Sequence, residues 1–285
     1  MKVFIFIHPH LMEKYQQSFA GLEHDGWERV AGKYESAWAP LTQKFIEPLL
    51  DSAGVKKGMN VLDVACGPGY VAHAVYRREA LSTGVDFSKQ MIAIARKKYP
   101  ELNFIEGNAQ SLAFVNESFD AVLMNFGLLH IPDPHLALRE ACRVLRAEGR
   151  IGFTVWAPPE LSEGARVTST AFEKFGNKNV DVPEGPPYFQ FSEETECRKS
   201  LTAAGFRESS VKFETLTVQW HVPTDTFLFD AESHAGVRTA ALLARQEPAQ
   251  LEAIRQAVKI AMKEYKADSG YILPFAAHII TATKN

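Results

Sequence analysis

Two aspartates and a glycine-rich turn carry the clearest chemical signal in this sequence. Asp63 sits within the apolar run 61–64, just before the turn at residues 66–69, and Asp86 ends the next apolar run, 81–85. Gly67 and its neighbour two residues on allow a tight turn and a close backbone approach to a ligand. The helix that follows presents unpaired N–H groups and a partial positive charge. A carboxylate at position 86 can accept both hydroxyls of a ribose.

The position of Asp63 distinguishes two kinds of nucleotide ligand. Residues 67–72 also fit the G-x-G-x-x-A pattern of dinucleotide-binding folds, which place backbone against a pyrophosphate anion. A carboxylate directly before that turn works against an anion and favours a cation, such as an amino group or a sulfonium. The residues therefore predict a cofactor with ribose, adenine and a positively charged tail.

Further polar residues follow the third and fourth apolar runs. Residues 106–110 bring side chains and free backbone amides suited to an adenine edge, and Asn125 closes the fourth run. His130 comes shortly afterwards, on the same predicted edge of the sheet. Imidazole groups exchange protons near neutral pH, so His130 is the candidate general base for an O–H acceptor. A structural or substrate-lining role for His130 stays open.

Short apolar strands alternate with helices through the middle of the chain. Because this alternation predicts a parallel sheet with helices on both faces, we expect an α/β fold whose ligand lies at the carboxyl ends of the strands. The expected strands are residues 61–64, 81–85, 102–105, 119–124, 151–155, 211–218 and 276–283. The expected helices cover residues 12–54, 70–78, 88–99, 133–149, 192–204 and most of 223–266.

Composition excludes several function classes. The chain has 285 residues, 46% of them hydrophobic and 23% charged, with a formal net charge of −3. These values predict a globular protein and give no bulk charge for binding nucleic acid. Three widely spaced cysteines predict neither disulfides nor a zinc site, and we expect no metal and a reducing, cytoplasmic location. No apolar run is long enough to span a membrane, and the apolar residues 3–7 predict a strand or an extension rather than a signal peptide.

The motifs in this order resemble those of class I S-adenosylmethionine-dependent methyltransferases. Residues 61–69 resemble the family's first motif, and residues 84–88 with Met91 resemble the second. The adenine-side turn, the fourth-strand motif and the helix and strand after it are similar to residues 107–114, 118–125 and 138–153. The resemblance covers about residues 40–157 and is typical of the small-molecule branch that includes the ubiquinone- and menaquinone-type enzymes.

The resemblance implies a fold, a cofactor and residue roles. The fold would be Rossmann-like and doubly wound, with a mostly parallel seven-stranded sheet, an antiparallel last strand and helical cap insertions. The cofactor would be S-adenosylmethionine, leaving as S-adenosylhomocysteine. Its methionine part would lie on Asp63 and the turn 65–69, its ribose on Asp86, and its amino group near the backbone of Asn125. The remaining contacts would come from Ala65, Gly67 and Gly69 in the turn, Phe87 and Met91 on the adenine face, and Asn108, Ala109 and Gln110 at the adenine edge.

Two positions depart from the family pattern. Ala65 stands where the family usually has a glycine, and Asn108 where an aspartate is more usual. Alanine is small enough to fit the turn, and an asparagine oxygen can still accept a hydrogen bond. Cofactor binding is therefore expected in spite of both departures.

The substrate site must come from outside the cofactor core. We expect residues 1–54 to form a helical part of a cap, residues 55–157 the cofactor-binding core, and residues 158–285 the last two strands with cap insertions at about 158–191 and 220–270. The expected acceptor is a small, partly hydrophobic molecule, methylated on oxygen or carbon. Its aromatic walls would be Trp27, Tyr34, Tyr188, Phe189 and Trp220.

Two alternatives remain at this point. One is an NAD(P)-dependent oxidoreductase on a Rossmann fold, and the other is a relative that binds the cofactor without transferring a methyl group. Neither nucleic acid nor a membrane is an expected partner. The oligomeric state stays open between a monomer and a homodimer.

Overall fold

The computed structural model describes residues 18–285. Residues 1–17, with the apolar stretch at 3–7 and the first part of the predicted helix 12–54, lie outside the described residues. Within residues 18–285 no helix is both long enough and apolar enough to cross a lipid bilayer.

Seven strands of the described chain form one mixed sheet. Their spatial order is β3-β2-β1-β4-β5-β7-β6, in which β7 runs antiparallel to both of its neighbours and every other pairing is parallel. The predicted doubly wound fold with an antiparallel last strand is confirmed. The strands are β1 (Asn60–Val64), β2 (Leu81–Asp86), β3 (Asn103–Glu106), β4 (Phe119–Asn125), β5 (Leu145–Trp156), β6 (Lys212–Val222) and β7 (Tyr271–Thr283).

Helices cover both faces of this sheet, and side-chain alternation decides which face each one packs against. The helices are α1 (Phe19–Tyr34), α2 (Ala39–Thr42), α3 (Ile46–Ala53), α4 (Tyr70–Arg77), α5 (Lys89–Lys98), α6 (Pro134–Val144), α7 (Glu163–Phe175), α8 (Glu194–Ala203), α9 (Phe227–Ala235), α10 (Arg238–Leu243) and α11 (Pro248–Met262). Leu62 and Val122 face α6 and α8, whereas their neighbours Val61 and Ala121 face α3 and α4.

Local caps fix where two core helices begin. The Oγ atom of Ser88 accepts a hydrogen bond from the N–H of Met91 at 3.1 Å, so α5 begins directly after the strand end at Asp86. At α6, Asp133 caps the N–H of Leu136 at 2.9 Å. These caps hold the connections after β2 and β4 in fixed positions at the carboxyl edge of the sheet.

A second apolar cluster joins the remaining helices to the end of the sheet. Leu228, Ile254 and Val258 of the insertion between β6 and β7 pack with Phe275 of β7 and with Phe45 from the N-terminal region. Helix α1 contacts α5 of the core and α9 of the insertion. Segments before the core, after β5 and between β6 and β7 therefore meet on one side of the sheet.

Several predicted boundaries were wrong, and pairing within the sheet explains those of one helix and three strands. The helix expected over 133–149 ends at Val144, because Leu145 already pairs with Phe119 of β4. The ladder then shifts register and resumes where Arg150 pairs with Ala121, which leaves residues 146–149 as a bulge. Strands β6 and β7 are longer than predicted because they pair continuously from Lys212 with Thr281 to Val222 with Tyr271.

Candidate active site

A cavity of about 960 Å³ opens at the carboxyl ends of β1, β2 and β4 and continues under the helices α1, α7, α9 and α10. This volume is at the upper end of the range for small-molecule sites, so it can hold a cofactor and a second molecule together. The strand ends contribute one half of the lining, with Asp63, Ala65, Gly67, Asp86, Phe87, Met91, Asn108, Ala109, Gln110, Asn125 and His130. Helices and loops outside the core contribute most of the other half, and strands β5 and β7 add one residue each, Trp156 and Phe275. The residues from the helices and loops are Glu23, Trp27, Tyr34, Thr168, Phe172, Tyr188, Phe189, Glu232 and Arg238.

Asp63 presents a buried carboxylate with one oxygen in use. Its Oδ2 accepts a hydrogen bond from the N–H of Ala72 at 3.0 Å, whereas Oδ1 has no hydrogen-bond partner in the described chain. Burial raises the pKa of Asp63 well above its ordinary value. A cation beside Oδ1 would offset this cost, because an opposite charge favours the ionised carboxyl.

The turn after β1 is held in a conformation that suits small residues. Ala65 has φ of 56°, Gly67 has 51° and Gly69 has 84°. Gly69 begins α4 and packs against Phe104 of β3, where an added Cβ atom would come within 2.6 Å of the ring. Gly67 and Ala65 line the cavity, and Gly69 is not among the lining residues of the described chain.

Gly127, just beyond β4, approaches this turn closely. A Cβ atom added there would lie 2.5 Å from the Cβ of Ala65. We expect Gly127→Ala to lower the free energy of unfolding by about 1–3 kcal/mol, because neither methyl group has room to move. Adding Ala65→Gly should restore most of that loss, since it removes the opposing methyl and suits the left-handed φ. Urea unfolding of both single variants and the double variant measures this, and a defect in Gly127→Ala that persists in the double variant would contradict the contact.

Asp86 holds two backbone N–H groups at the end of β2. Its Oδ2 accepts from Gly67 at 2.8 Å and its Oδ1 accepts from Ser88 at 2.9 Å. Burial raises the pKa of Asp86 to about 6, although these two hydrogen bonds act in the opposite direction. Each carboxylate oxygen has a further lone pair, so Asp86 can still accept hydroxyl donors from the cavity.

The residues predicted for the adenine side come together at the same edge. Phe87 and Met91 line the cavity beside the loop after β3. In that loop the Oδ1 of Asn108 accepts the N–H of Gln110 at 2.9 Å, and the Oε1 of Gln110 accepts the N–H of Asp133 at 3.0 Å. Each side-chain oxygen therefore already accepts one hydrogen bond within the protein, and the backbone carbonyl of Asn108 accepts another from the N–H of Ser111 at 2.9 Å. Ala109 lines the cavity between them.

The side chain of Asn125 is tied into the core. Its Oδ1 accepts from the hydroxyl of Thr154 at 2.7 Å, and its Nδ2 donates to the carbonyl of Thr42 at 3.2 Å. The structure thus places Asn125 at the cavity with both side-chain polar atoms already bonded.

His130 lies where the strand-end half of the cavity meets the half formed by the other segments. Its Nδ1 is 2.9 Å from Oε2 of Glu23, a residue of α1 whose side chain is only 2% exposed. The ring of Trp27 stands edge-on to the imidazole, with centroids 4.9 Å apart. Glu23 has no signal in the sequence that sets it apart, because a lone glutamate in an amphipathic helix is ordinarily a solvated residue.

Four of the five predicted aromatic wall residues line the cavity, namely Trp27, Tyr34, Tyr188 and Phe189. Trp220 does not. It lies in β6, 1% exposed, stacked on Trp38 at 5.4 Å and packed against Phe275. The extra length of β6 explains this placement, since the strand extends to Val222 and carries Trp220 into the apolar cluster that joins the outer helices to the end of the sheet.

Comparisons with known proteins agree with this geometry. Residues 62–153 match the family model described as a methyltransferase domain. A demethylmenaquinone methyltransferase of Renibacterium salmoninarum is 32% identical over 137 residues, which cover 47% of this chain and 58% of that protein. The corresponding enzyme of Bacillus velezensis is 30% identical over 158 residues, covering 51% of this chain and 68% of that protein. The chain belongs to the class I S-adenosylmethionine-dependent methyltransferase family.

The resemblance to the menaquinone-type members is confirmed by these relatives, although the chain spans only a little more than half the length of the first of them. The YcgJ protein of Bacillus subtilis shares the fold, with a TM-score of 0.56, 18% identity and coverage of 85% of this chain and 98% of that one. S-adenosylmethionine is the cofactor of this family, and the free Oδ1 of Asp63 fits its ammonium group.

Two further ionisable side chains lie in the part of the cavity beneath α1, α9 and α10. The guanidinium group of Arg238 lies over the ring of Phe19 at 4.7 Å, and its Nε is 4.0 Å from Oε1 of Glu23. Glu232 also lines the cavity, and burial raises its pKa to about 7 despite a hydrogen bond with Thr239. Sequence alone did not indicate either residue, because the insertion between β6 and β7 lies outside the family's motifs.

The raised pKa of Glu232 makes stability depend on pH. The folded protein keeps this proton up to about pH 7, whereas the unfolded chain loses it near 4.5, so the contribution to stability is lost as pH rises between these values. Relative to the wild type, Glu232→Gln should therefore become more stable by about 2 kcal/mol between pH 5 and pH 8. Urea unfolding at both pH values measures this, with exposed Glu160→Gln as the control. An equal pH response in wild type and Glu232→Gln would contradict the expectation.

Proposed function

We propose that the chain transfers the methyl group of S-adenosylmethionine to an oxygen or carbon atom of a small hydroxylated aromatic molecule. The observation that supports this most strongly is the single continuous cavity. One end contains the unpartnered carboxylate oxygen of Asp63, the other end contains the aromatic walls, and the imidazole of His130 lies where the two halves meet.

In the cofactor half, the chain's own residues would bind and orient. Asp63 would pair with the ammonium group through Oδ1, and the residues of the turn after β1 would surround the methionine part. Asp86 would accept the ribose hydroxyls, while Phe87 and Met91 would pack on adenine beside the loop that contains Asn108. When bound, the cofactor supplies a methyl group already activated on a sulfonium, so the protein contributes mainly proximity and orientation.

In the acceptor half, the walls favour a flat apolar molecule with few polar groups. Trp27, Phe172 and Phe189 supply aromatic surface from three different segments of the chain. The Nε2 of His130 would take the proton that an acceptor hydroxyl loses. The hydroxyl of Tyr34 forms a hydrogen bond with the hydroxyl of Thr42 at 2.9 Å, and burial raises the pKa of Tyr34 to about 12. Tyr34 is therefore a neutral wall residue rather than a base.

The relatives suggest a more specific acceptor. Those from Renibacterium salmoninarum and Bacillus velezensis are demethylmenaquinone methyltransferases, and we propose a bicyclic hydroquinone-like acceptor for this chain. Asn125 is followed by Phe126, not by the Pro-Pro-aromatic run typical of nucleobase and amide nitrogen methylation. Oxygen or carbon is therefore favoured over nitrogen as the acceptor atom.

The segments outside the core would then act as the cap that selects the acceptor. These are residues 1–54, about 158–191 and about 220–270, which include α1, α7, α9 and α10. All three cysteines of the chain are free and buried, in keeping with the proposed cytoplasmic location.

A turnover assay tests the acceptor class. The protein is incubated with S-adenosylmethionine carrying a trideuterated methyl group and, separately, with naphthalene-1,4-diol, 1-naphthol and 1-naphthylamine. We expect the diol and the naphthol, but not the amine, to gain one trideuterated methyl group by mass spectrometry. Methylation of the amine alone would overturn the acceptor class, and S-adenosylhomocysteine binding without any product from this panel or from other hydroquinones would indicate a protein that binds without transferring.

A further inference from the structure

Glu23 is the most deeply buried acidic side chain of α1, and three groups from different parts of the chain surround it. Its Oε2 accepts a hydrogen bond from Nε1 of Trp27 at 3.1 Å and lies 2.9 Å from Nδ1 of His130. Its Oε1 faces Nε of Arg238 at 4.0 Å. The carboxylate thus joins α1, the connection after β4 and α10.

A buried glutamate at this position of α1 is not explained by packing alone. A buried carboxylate costs free energy unless it is paired, and an apolar residue of similar size often serves packing at least as well. The neighbouring positions of α1 that face inward are apolar or small, including Phe19, Gly26 and Val30. Glutamate at this one inward position therefore indicates a role beyond filling space.

The chemistry of the contact fixes the form of the His130 ring. A carboxylate can only accept hydrogen bonds, so Nδ1 of His130 must be the donor. In the neutral imidazole the second nitrogen, Nε2, is then unprotonated and able to accept a proton. No described residue forms a hydrogen bond with Nε2, and His130 lines the cavity, so this nitrogen is available to an acceptor molecule.

We propose that Glu23 is a positioning residue for His130. It holds the imidazole in the tautomer whose unprotonated Nε2 faces the cavity, and Trp27 and Arg238 hold Glu23 in place. The inference rests on the proposed function, in which His130 takes the proton of the acceptor. It adds that the base is completed by a residue from the cap segment and not by the cofactor core alone.

The tautomer can be measured without any turnover. Protein labelled with ¹⁵N in histidine is loaded with S-adenosylhomocysteine, and a long-range ¹H–¹⁵N spectrum is recorded at about pH 8. A His130→Gln variant assigns the His130 signals. We expect a protonated Nδ1 and an unprotonated Nε2 in the wild type, and a loss of that preference in Glu23→Gln. A wild-type ring protonated at Nε2, or an unchanged ring in Glu23→Gln, would overturn the inference.

Kinetics with the acceptor provide a second test of the role of Glu23. Glu23→Gln should lower kcat by about tenfold or more and leave the KM for S-adenosylmethionine nearly unchanged. In a His130→Ala background the same substitution should cost little further, because both changes remove one function. Arg29→Gln, an exposed position on the same helix and outside the cavity lining, is the control. If the effects of Glu23→Gln and His130→Ala multiply, Glu23 does not act through His130.

The tautomer measurement and the kinetics distinguish a failure of this inference from a failure of the proposed function. If the wild type methylates no acceptor, the proposed function fails, while the tautomer still decides the role of Glu23. If transfer occurs but the tautomer of the His130 ring is the same in the wild type and in Glu23→Gln, only the positioning role fails. Thermal unfolding of Glu23→Gln verifies that it folds, and the wild-type spectrum alone remains decisive if it does not.

Discussion

His130→Ala should slow methyl transfer to the acceptor by about a hundredfold while leaving the affinity for S-adenosylhomocysteine nearly unchanged. The imidazole lies at the boundary between the two halves of the cavity, and its contacts are to Glu23 and Trp27 rather than to the predicted cofactor residues. Removing it takes away the proton acceptor and leaves the hydrogen bonds of Asp63 and Asp86 within the chain in place. Single-turnover rates with saturating cofactor measure the effect on the chemical step.

A second histidine provides the control for this prediction. His135 lies in α6, bonded to Gln190 at 3.0 Å, and is not among the residues that line the cavity of the described chain. His135→Ala should leave turnover nearly unchanged. A loss of less than about tenfold in His130→Ala would remove the base role and leave His130 as a wall residue.

Asp86→Ala should weaken the binding of S-adenosylhomocysteine by about 1–3 kcal/mol, roughly five- to 150-fold in Kd. The variant loses the carboxylate proposed to accept the ribose hydroxyls, and it also frees the N–H groups of Gly67 and Ser88. Isothermal titration calorimetry measures the change. Asp86→Asn should show an intermediate loss, since the amide removes the charge and keeps only one of the two oxygens that accept the N–H groups of Gly67 and Ser88.

The pH dependence of binding tests the same residue. Because burial raises the pKa of Asp86 to about 6, the carboxyl gains a proton as pH falls through that value and becomes a poorer acceptor. Affinity should therefore drop between pH 8 and pH 5 in the wild type, and much less in Asp86→Ala. Exposed Glu101→Ala should behave as the wild type. Unchanged affinity in Asp86→Ala at pH 8 would remove Asp86 from the ribose site.

The positions of the residues in the strand-end half of the cavity were predictable because short stretches of sequence determine them. Asp63 and Asp86 lie at the carboxyl ends of parallel strands that are recognisable by their apolar pattern, and neighbouring parallel strands bring their ends to one edge. The turn after β1 consists of small residues adjacent in sequence, and Asp86 accepts the N–H of Gly67 within it. Their positions therefore depend on short stretches of chain that the sequence describes well.

The acceptor half was less predictable because it depends on contacts between distant segments. Glu23 meets His130 and Arg238 only because α1 and the insertion between β6 and β7 fold over the same strand ends. Trp220 failed as a wall residue for a similar reason, since the length of β6 is set by its pairing with β7. Neither the contacts of Glu23 nor the length of the β6–β7 pairing is marked by a local sequence pattern.

A crystal structure of the protein with S-adenosylhomocysteine tests most directly the claim that cofactor and acceptor share one cavity. We predict the amino group beside Oδ1 of Asp63, the ribose hydroxyls on Asp86, and the sulfur turned toward the space bounded by His130 and Trp27. A sulfur turned away from that space, or an adenine lying beneath α1 and α10, would contradict the account.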